Sequence, residues 1–161
     1  NADLTGLGLA LCIIDCGADH AALTNEYASI PEEMCKVAAH FGKKVLREVK
    51  EEDLLANLAQ VRKEAGDRAV LRALHFYADD RRAAEEADAL ERKDKEAFLN
   101  LVKESGRSSW ELLQNITPAA AITHQDMAVA LAVAEKTLNG KGAWRWICRN
   151  NPGICPGGRC V

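Results

Sequence analysis

The sequence predicts an α+β protein, mostly helical, with one strand near each end and an incomplete sheet. Three observations predict it. Two successive amphipathic stretches, Asp67 to Glu91 and Lys95 to Asn115, repeat their apolar residues at helical spacing. The run Leu7 to Ile14 is continuously apolar between Gly6 and Asp15, which suits a buried strand. Ala143 to Cys148 reads as a second strand. Two strands alone make a marginal sheet, so the chain is expected to be a piece of a larger domain.

The two long helices are expected to fold back on each other. On the first, Val70, Leu74, Tyr77, Ala84, Ala87 and Leu90 form one stripe, and Arg68, Arg72, Asp79, Asp80, Arg81, Arg82, Glu85 and Glu86 form a charged face. On the second, Phe98, Leu101, Val102, Ser105, Ser109, Leu112 and Leu113 share a side that should meet the first helix. The connection Glu91-Arg92-Lys93-Asp94 is short enough to make the pair antiparallel, with Asp94 as N-cap.

The other elements follow in order. Cys16-Gly17-Ala18-Asp19 is a turn, and a helix starts near His20. It should break before Pro31, because the residue preceding a proline avoids the helical region. Pro31 then opens a new helix, with Glu32 and Glu33 in its first turn, that buries Met34, Val37, Ala38 and Phe41 and stops at Gly42. Lys44 to Val49 is a short extended connection. Glu51 to Ala65 is one helix with Leu54, Leu55, Leu58 and Val61 inward, ending at Gly66. After a loop opened by Thr117-Pro118-Ala119, Thr123 caps a helix from His124 to Leu138 with Met127, Ala130, Leu131 and Ala134 inward. Beyond Arg149 the chain is Gly, Pro, Cys and Arg without periodicity, and no repeat is visible.

At 161 residues and 48% apolar content, one domain with a real core is expected. A net charge of −3, with no face rich in Lys and Arg, argues against nucleic acid as a partner. No apolar run reaches the roughly 18 residues of a membrane helix, and no signal peptide is visible, so no membrane association and a cytoplasmic location are expected. In that compartment cysteines are thiols. The six, Cys12, Cys16, Cys35, Cys148, Cys155 and Cys160, form no C-x-x-C pair, and no metal site is expected.

Several segments carry a resemblance. Asp67-Arg-Ala-Val-Leu-Arg-Ala-Leu-His-Phe-Tyr-Ala-Asp-Asp-Arg-Arg82 resembles the "R-A-x-H…E-x-x-R" helix of galactokinases. Leu101-Val-Lys-Glu-Ser-Gly-Arg-Ser-Ser-Trp-Glu-Leu-Leu-Gln-Asn115 resembles their "M-x-E-S-H-x-S-L" helix. Ala10 to His20, with Leu23-Thr-Asn-Glu-Tyr27, resembles the family's strand, "N/D-T-G-x-x-H" turn and "E-Y" segment. The resemblance runs nearly continuously from Leu7 to Arg145. It implies a GHMP kinase C-terminal domain of galactokinase type over residues 1–145, a ferredoxin-like antiparallel sheet backed by helices, with the sheet incomplete. It also implies a parent enzyme that phosphorylates galactose with ATP and magnesium. In galactokinases the tyrosine of the "E-Y" segment contacts the sugar, which makes Tyr27 the expected substrate-binding residue. Its alternative is an interfacial tyrosine whose ring packs while its hydroxyl meets water.

The departures are equally informative. The family's "G-R-x-N-L-I-G-E-H" segment, its phosphate-cradling "P-x-G-x-G-L-S-S-S" loop and its catalytic aspartate are not found in the chain. Asp15, at a strand end, is no substitute. No glycine-rich run precedes a helix in the first 140 residues. No catalytic, cofactor-binding or metal-binding residue is therefore expected, and no ATP or magnesium bound by this chain alone, because phosphoryl transfer rests on positioning and charge stabilisation. Bacterial members continue after the equivalent of Arg145 as "V-H-G-G-G-F-A-G-T-I-Q-A-F-V-P-G". Permitted codons for Trp146 to Val161, read from the second base, yield Gly-Phe-Ala-Gly-Thr-Ile-Gln-Ala-Phe-Val-Pro-Gly-Glu-Asp-Val. A small deletion that shifts the frame is compatible with residues 146–161, which are expected to be an aberrant, disordered tail without functional content.

The reading is thus a galactokinase fragment that contributes part of the sugar site and is inactive alone. The alternative is a non-catalytic module derived from a galactokinase that binds sugar or protein. A bare helical interaction domain would not need the polar residues His75, Arg82, Glu104, Ser105 and Ser108. The strand Leu9 to Ile14 should present an open edge through which copies self-associate.

Overall fold

A computed structural model describes residues 7–9, 24–117 and 122–138. The elements run α1 (Thr24–His40), a 3-10 turn (Leu46–Glu48), α2 (Glu51–Ala56), α3 (Leu58–Ala65), α4 (Asp67–Glu91), α5 (Lys95–Ser108), a π-helical turn (Ser109–Leu113) and α6 (Asp126–Leu138). Among the described residues there is no strand and no sheet. The expected α+β class and incomplete ferredoxin-like sheet are therefore overturned, and the architecture is helical. At Leu7 to Leu9 the chain turns, and Gly8, at φ +63°, leaves the extended region that a strand requires. The rest of that expected strand and its self-associating edge, the whole of Ala143 to Cys148 and the tail lie outside the described residues.

The helices surround α4, which packs against α1, α3, α5 and the π-helical turn. One core joins Met34, Val37 and Ala38 of α1 to Leu46, Val49, Leu54 and Val61, and to Ala69, Val70, Ala73 and Phe76 of α4. A second, smaller cluster of Ile116, Met127 and Ala128 packs on Trp110 and Leu131. It is the described contact of α6 with the body of the protein. The opposite face of α6 is open, with Val129 61% and Val133 59% exposed.

Several boundaries fall where local chemistry puts them. Asp94 accepts a hydrogen bond from the Ala97 N–H at 3.0 Å, as an N-cap should. Gly42 ends α1 at φ +67°. Its N–H reaches the Ala39 carbonyl while that of Lys43 reaches Ala38, the two bonds that close a helix in the left-handed conformation.

Other expectations are corrected. α1 runs through Pro31 instead of breaking before it. The helix expected over Glu51–Ala65 is interrupted at Asn57, whose side-chain amide donates to the Asp53 carbonyl at 2.9 Å and competes with the helical ladder. The Lys44 to Val49 connection holds the 3-10 turn between extended Val45 and Val49. The buried face of α4 is also rotated from the expected stripe. Ala69, Val70, Arg72, Ala73, His75 and Phe76 are buried, whereas Ala84 and Ala87 are exposed. α4 has neighbours on several sides at its N-terminal half, so more than one stripe is covered there. Phe98 is only half-buried, not a core anchor.

Tyr77 ties α4 to the 3-10 turn. Its hydroxyl donates to the Val49 carbonyl at 2.9 Å, with the Leu46 carbonyl at 3.4 Å. Burial, with Glu51 and Asp53 adding to it, pushes the Tyr77 phenol up to about 12, against about 10 in an unfolded chain. The unfolded chain therefore loses this proton first. The contribution of Tyr77 is complete below about pH 10 and lost as pH rises toward 12. Chemical denaturation between pH 9 and about 11.5 should show the wild type losing stability more steeply than Tyr77→Phe, and equal slopes would show the phenol is not held neutral by the fold.

Candidate functional site

Tyr27 sits in the first two turns of α1, half-buried, with its hydroxyl oxygen out of solvent. The helix around it is unusual. Pro31, one turn further on, has no N–H to give to the Tyr27 carbonyl, and a proline inside a helix costs about 3 kcal/mol. In the same turn the Ser29 hydroxyl donates to the neighbouring Glu26 carbonyl at 2.6 Å.

This part of α1 is gripped from α4. Arg72, on the face expected to be solvated, is 1% exposed. Its Nε donates to the Leu113 carbonyl at 3.1 Å, and its Nη1 donates to Ser29 Oγ and Glu33 Oε2, both at 2.9 Å. One helical turn earlier, Arg68 donates through Nη2 and Nε to Glu33 at 2.6 and 3.0 Å, and its Nη1 lies 3.9 Å from Glu26 Oε2. Two guanidinium groups thus face two carboxylates across the α1–α4 contact. Burial pulls the Arg72 guanidinium below its usual range while Glu33 opposes the shift, and the Glu33 hydrogen bonds hold Arg68 above it. Arginine remains charged in either case.

A second polar seam fastens α4 to α5. His75 Nδ1 and Ser108 Oγ are 2.8 Å apart, both buried. Arg82 donates to Asp79 Oδ1 at 2.9 Å and lies 3.9 Å from Glu104 Oε2. Ser105, 0% exposed, lies in the same interface. The five polar residues expected to recur for a reason other than packing, His75, Arg82, Glu104, Ser105 and Ser108, therefore meet on one seam. Ser108, His75 and Asp79 have the composition of a nucleophile set without its geometry. His75 Nε2 is 3.8 Å from Asp79 Oδ2, beyond hydrogen-bond range, and the serine is covered. The seam orients helices.

Among the described residues no three His, Cys, Asp or Glu side chains gather to hold a metal, and Cys35, half-buried on α1, is the described cysteine. A groove beside Trp110, Ile116 and Leu131 encloses about 30 Å³, room for a single water. No described helix is long and apolar enough to cross a membrane.

Sequence reasoning missed Arg72, Arg68 and Glu33 as a cluster. The signal was present: Arg72 and Ala73 precede His75 by three and two positions, the pattern of the quoted helix motif.

Comparison with known proteins agrees with that pattern. Over 100 residues, 62% of the chain, the sequence is 40% identical to galactokinase of Homo sapiens, and it covers 24% of that protein. The chain thus spans about a quarter of the length of the curated relative it matches, and carries a galactokinase-related segment. No family model matches the chain, and no solved structure matches it.

Glu33→Gln would leave Arg68 and Arg72 facing each other with one carboxylate gone. Removing one partner of a buried ion pair costs roughly 3–5 kcal/mol, so the urea midpoint should fall markedly. A loss under about 1 kcal/mol would place the cluster among surface ion pairs.

Proposed function

We propose that this chain is a piece derived from a galactokinase, and that it contributes part of a galactose site through Tyr27. The observation that carries the reading is the extended similarity to human galactokinase, a kinase and transferase of galactose metabolism. The residues of the "E-Y" and "R-A-x-H" segments support it, because they lie on two helices in contact. In this reading residues 1–145 form the galactokinase-type portion and 146–161 a frame-shifted tail. The chain is cytoplasmic.

ATP and magnesium belong to the parent enzyme. The described residues do not fit either: no carboxylate cluster is available for the ion, and no described helix opens behind a glycine-rich run that would present N–H groups to phosphate. No step of phosphoryl transfer is assigned to this chain. Its part is to bind and orient sugar. The Tyr27 hydroxyl, which can both donate and accept, is the group this reading assigns to a sugar hydroxyl. The second reading is a non-catalytic sugar- or protein-binding module. It is favoured by the Arg72–Ser29–Glu26 contacts next to Tyr27 and by the lack of a glycine-rich run before any helix among the described residues.

A coupled assay with galactose, ATP and magnesium should show no turnover by the 161-residue chain. Turnover on the order of 1 s⁻¹, an ordinary enzymatic rate, would overturn the fragment reading. Titration calorimetry should show galactose binding weakened by about 0.5–1.5 kcal/mol in Tyr27→Phe, the net worth of one neutral hydrogen bond, with the melting temperature unchanged. A lowered melting temperature with unchanged galactose affinity would make Tyr27 a packing residue.

A further inference from the structure

We propose that Arg72 is the positioning residue of the Tyr27 site: through Ser29 it holds the Glu26–Tyr27 peptide, and through Leu113 it refers that peptide to the α4–α5 hairpin. The inference deepens the galactose reading and rests on it for the identity of the ligand.

The link is a continuous relay of hydrogen bonds. Arg72 Nη1 donates to Ser29 Oγ at 2.9 Å, and Ser29 Oγ donates in turn to the Glu26 carbonyl at 2.6 Å. That carbonyl belongs to the peptide unit whose nitrogen is that of Tyr27. A positive charge at the head of the relay polarises the serine hydroxyl and strengthens its second bond. The relay acts where the helix is weakest, since Pro31 withholds the donor that would otherwise tie the Tyr27 carbonyl to the next turn. The orientation of this turn is therefore set from outside α1.

The other end of the relay is equally fixed. Arg72 Nε donates to the Leu113 carbonyl at the end of the π-helical turn, immediately before Gln114 in the left-handed conformation. Carbonyls at a helix end lack intrahelical donors, and π-helical turns tend to mark functional places. A planar fork with fixed donor directions spans the three acceptors Leu113 O, Ser29 Oγ and Glu33 Oε2 at once. A lysine ammonium at the same place could not. Glu33, gripped from both sides by Arg68 and Arg72, prevents the fork from rotating away.

The full chain has only two tyrosines, Tyr27 and Tyr77, so ring-labelled tyrosine gives two NMR signals, one of them assigned by its loss in Tyr27→Phe. In sugar-free protein, Ser29→Ala should move the Tyr27 signal, leave the Tyr77 signal in place and lower the melting temperature modestly, since Arg72 loses one of its acceptors. Ser29→Thr should restore the Tyr27 signal. Galactose affinity of Ser29→Ala should fall about threefold to tenfold, the loss expected for one hydrogen bond. Arg72→Lys should move the Tyr27 signal in the same direction, and should it fail to fold, the serine variants decide. A Tyr27 signal unmoved in Ser29→Ala overturns the relay. If galactose shifts neither signal in the wild type, the sugar reading falls, while the sugar-free comparison still decides the positioning role.

Discussion

A buried guanidinium is a demanding guest. Removing an arginine from water costs several kcal/mol even after relaxation, and only a full set of acceptors offsets that penalty. At Arg72 the three acceptors are drawn from two distant parts of the chain: a side-chain hydroxyl and a carboxylate on α1, and a backbone carbonyl at the end of the α5 hairpin. Because the fork is planar and rigid, satisfying it fixes the distances among those parts. The apolar core beneath Val70, Ala73 and Phe76 supplies most of the driving force for packing, but apolar contact is non-directional. The guanidinium makes the arrangement singular.

The same constraint explains how α1 tolerates Pro31. A proline in a helix interior removes one bond and crowds the preceding turn. Here the affected turn is clamped by Ser29, Glu26 and Glu33 against two arginines of α4. Lateral contacts replace the axial ladder. The His75–Ser108 and Arg82–Asp79 contacts do comparable work on the other side of α4, so the helix is oriented from two flanks by polar pairs and cushioned between them by small residues such as Ala69 and Ala73.

Much of this was legible in the residues. The hairpin, its antiparallel turn and the Asp94 cap follow from spacing and from one capping side chain, and Gly42 and Gly66 mark real helix ends. What misled was the assumption that a charged residue lies on a solvated face. Arg72 and Arg68 share a helix with Arg81 and Arg82, and composition cannot tell a buried arginine from an exposed one; only partners from distant sequence, Ser29 and Glu33, decide. The rule that a helix stops before proline failed for a related reason, since it counts local bonds and the rescue is tertiary. The expected sheet rested on apolar runs that periodicity cannot separate from buried helix or turn, and at Leu7 to Leu9 the backbone of Gly8 chose the turn. Tyr27 was singled out through its neighbours in a motif, since nothing in its own spacing marks it.

The separation of the two apolar clusters has a consequence for how the protein comes apart. Among the described residues, α6 is held to the body by Met127, Ala128 and Leu131 against Trp110 and Ile116, and shares no buried side chain with the core around α4. Among the described residues, detaching it breaks only this small cluster and none of the arginine contacts. Free energies of local opening track the area and bonding lost, so α6 should behave as a cooperative unit of its own. Its amide protons would exchange with solvent through a low-energy opening, while those of α1 and α4 await the collapse of the Arg72 cluster. On these contacts, mild proteolysis or warming would reach α6 before α1 and α4.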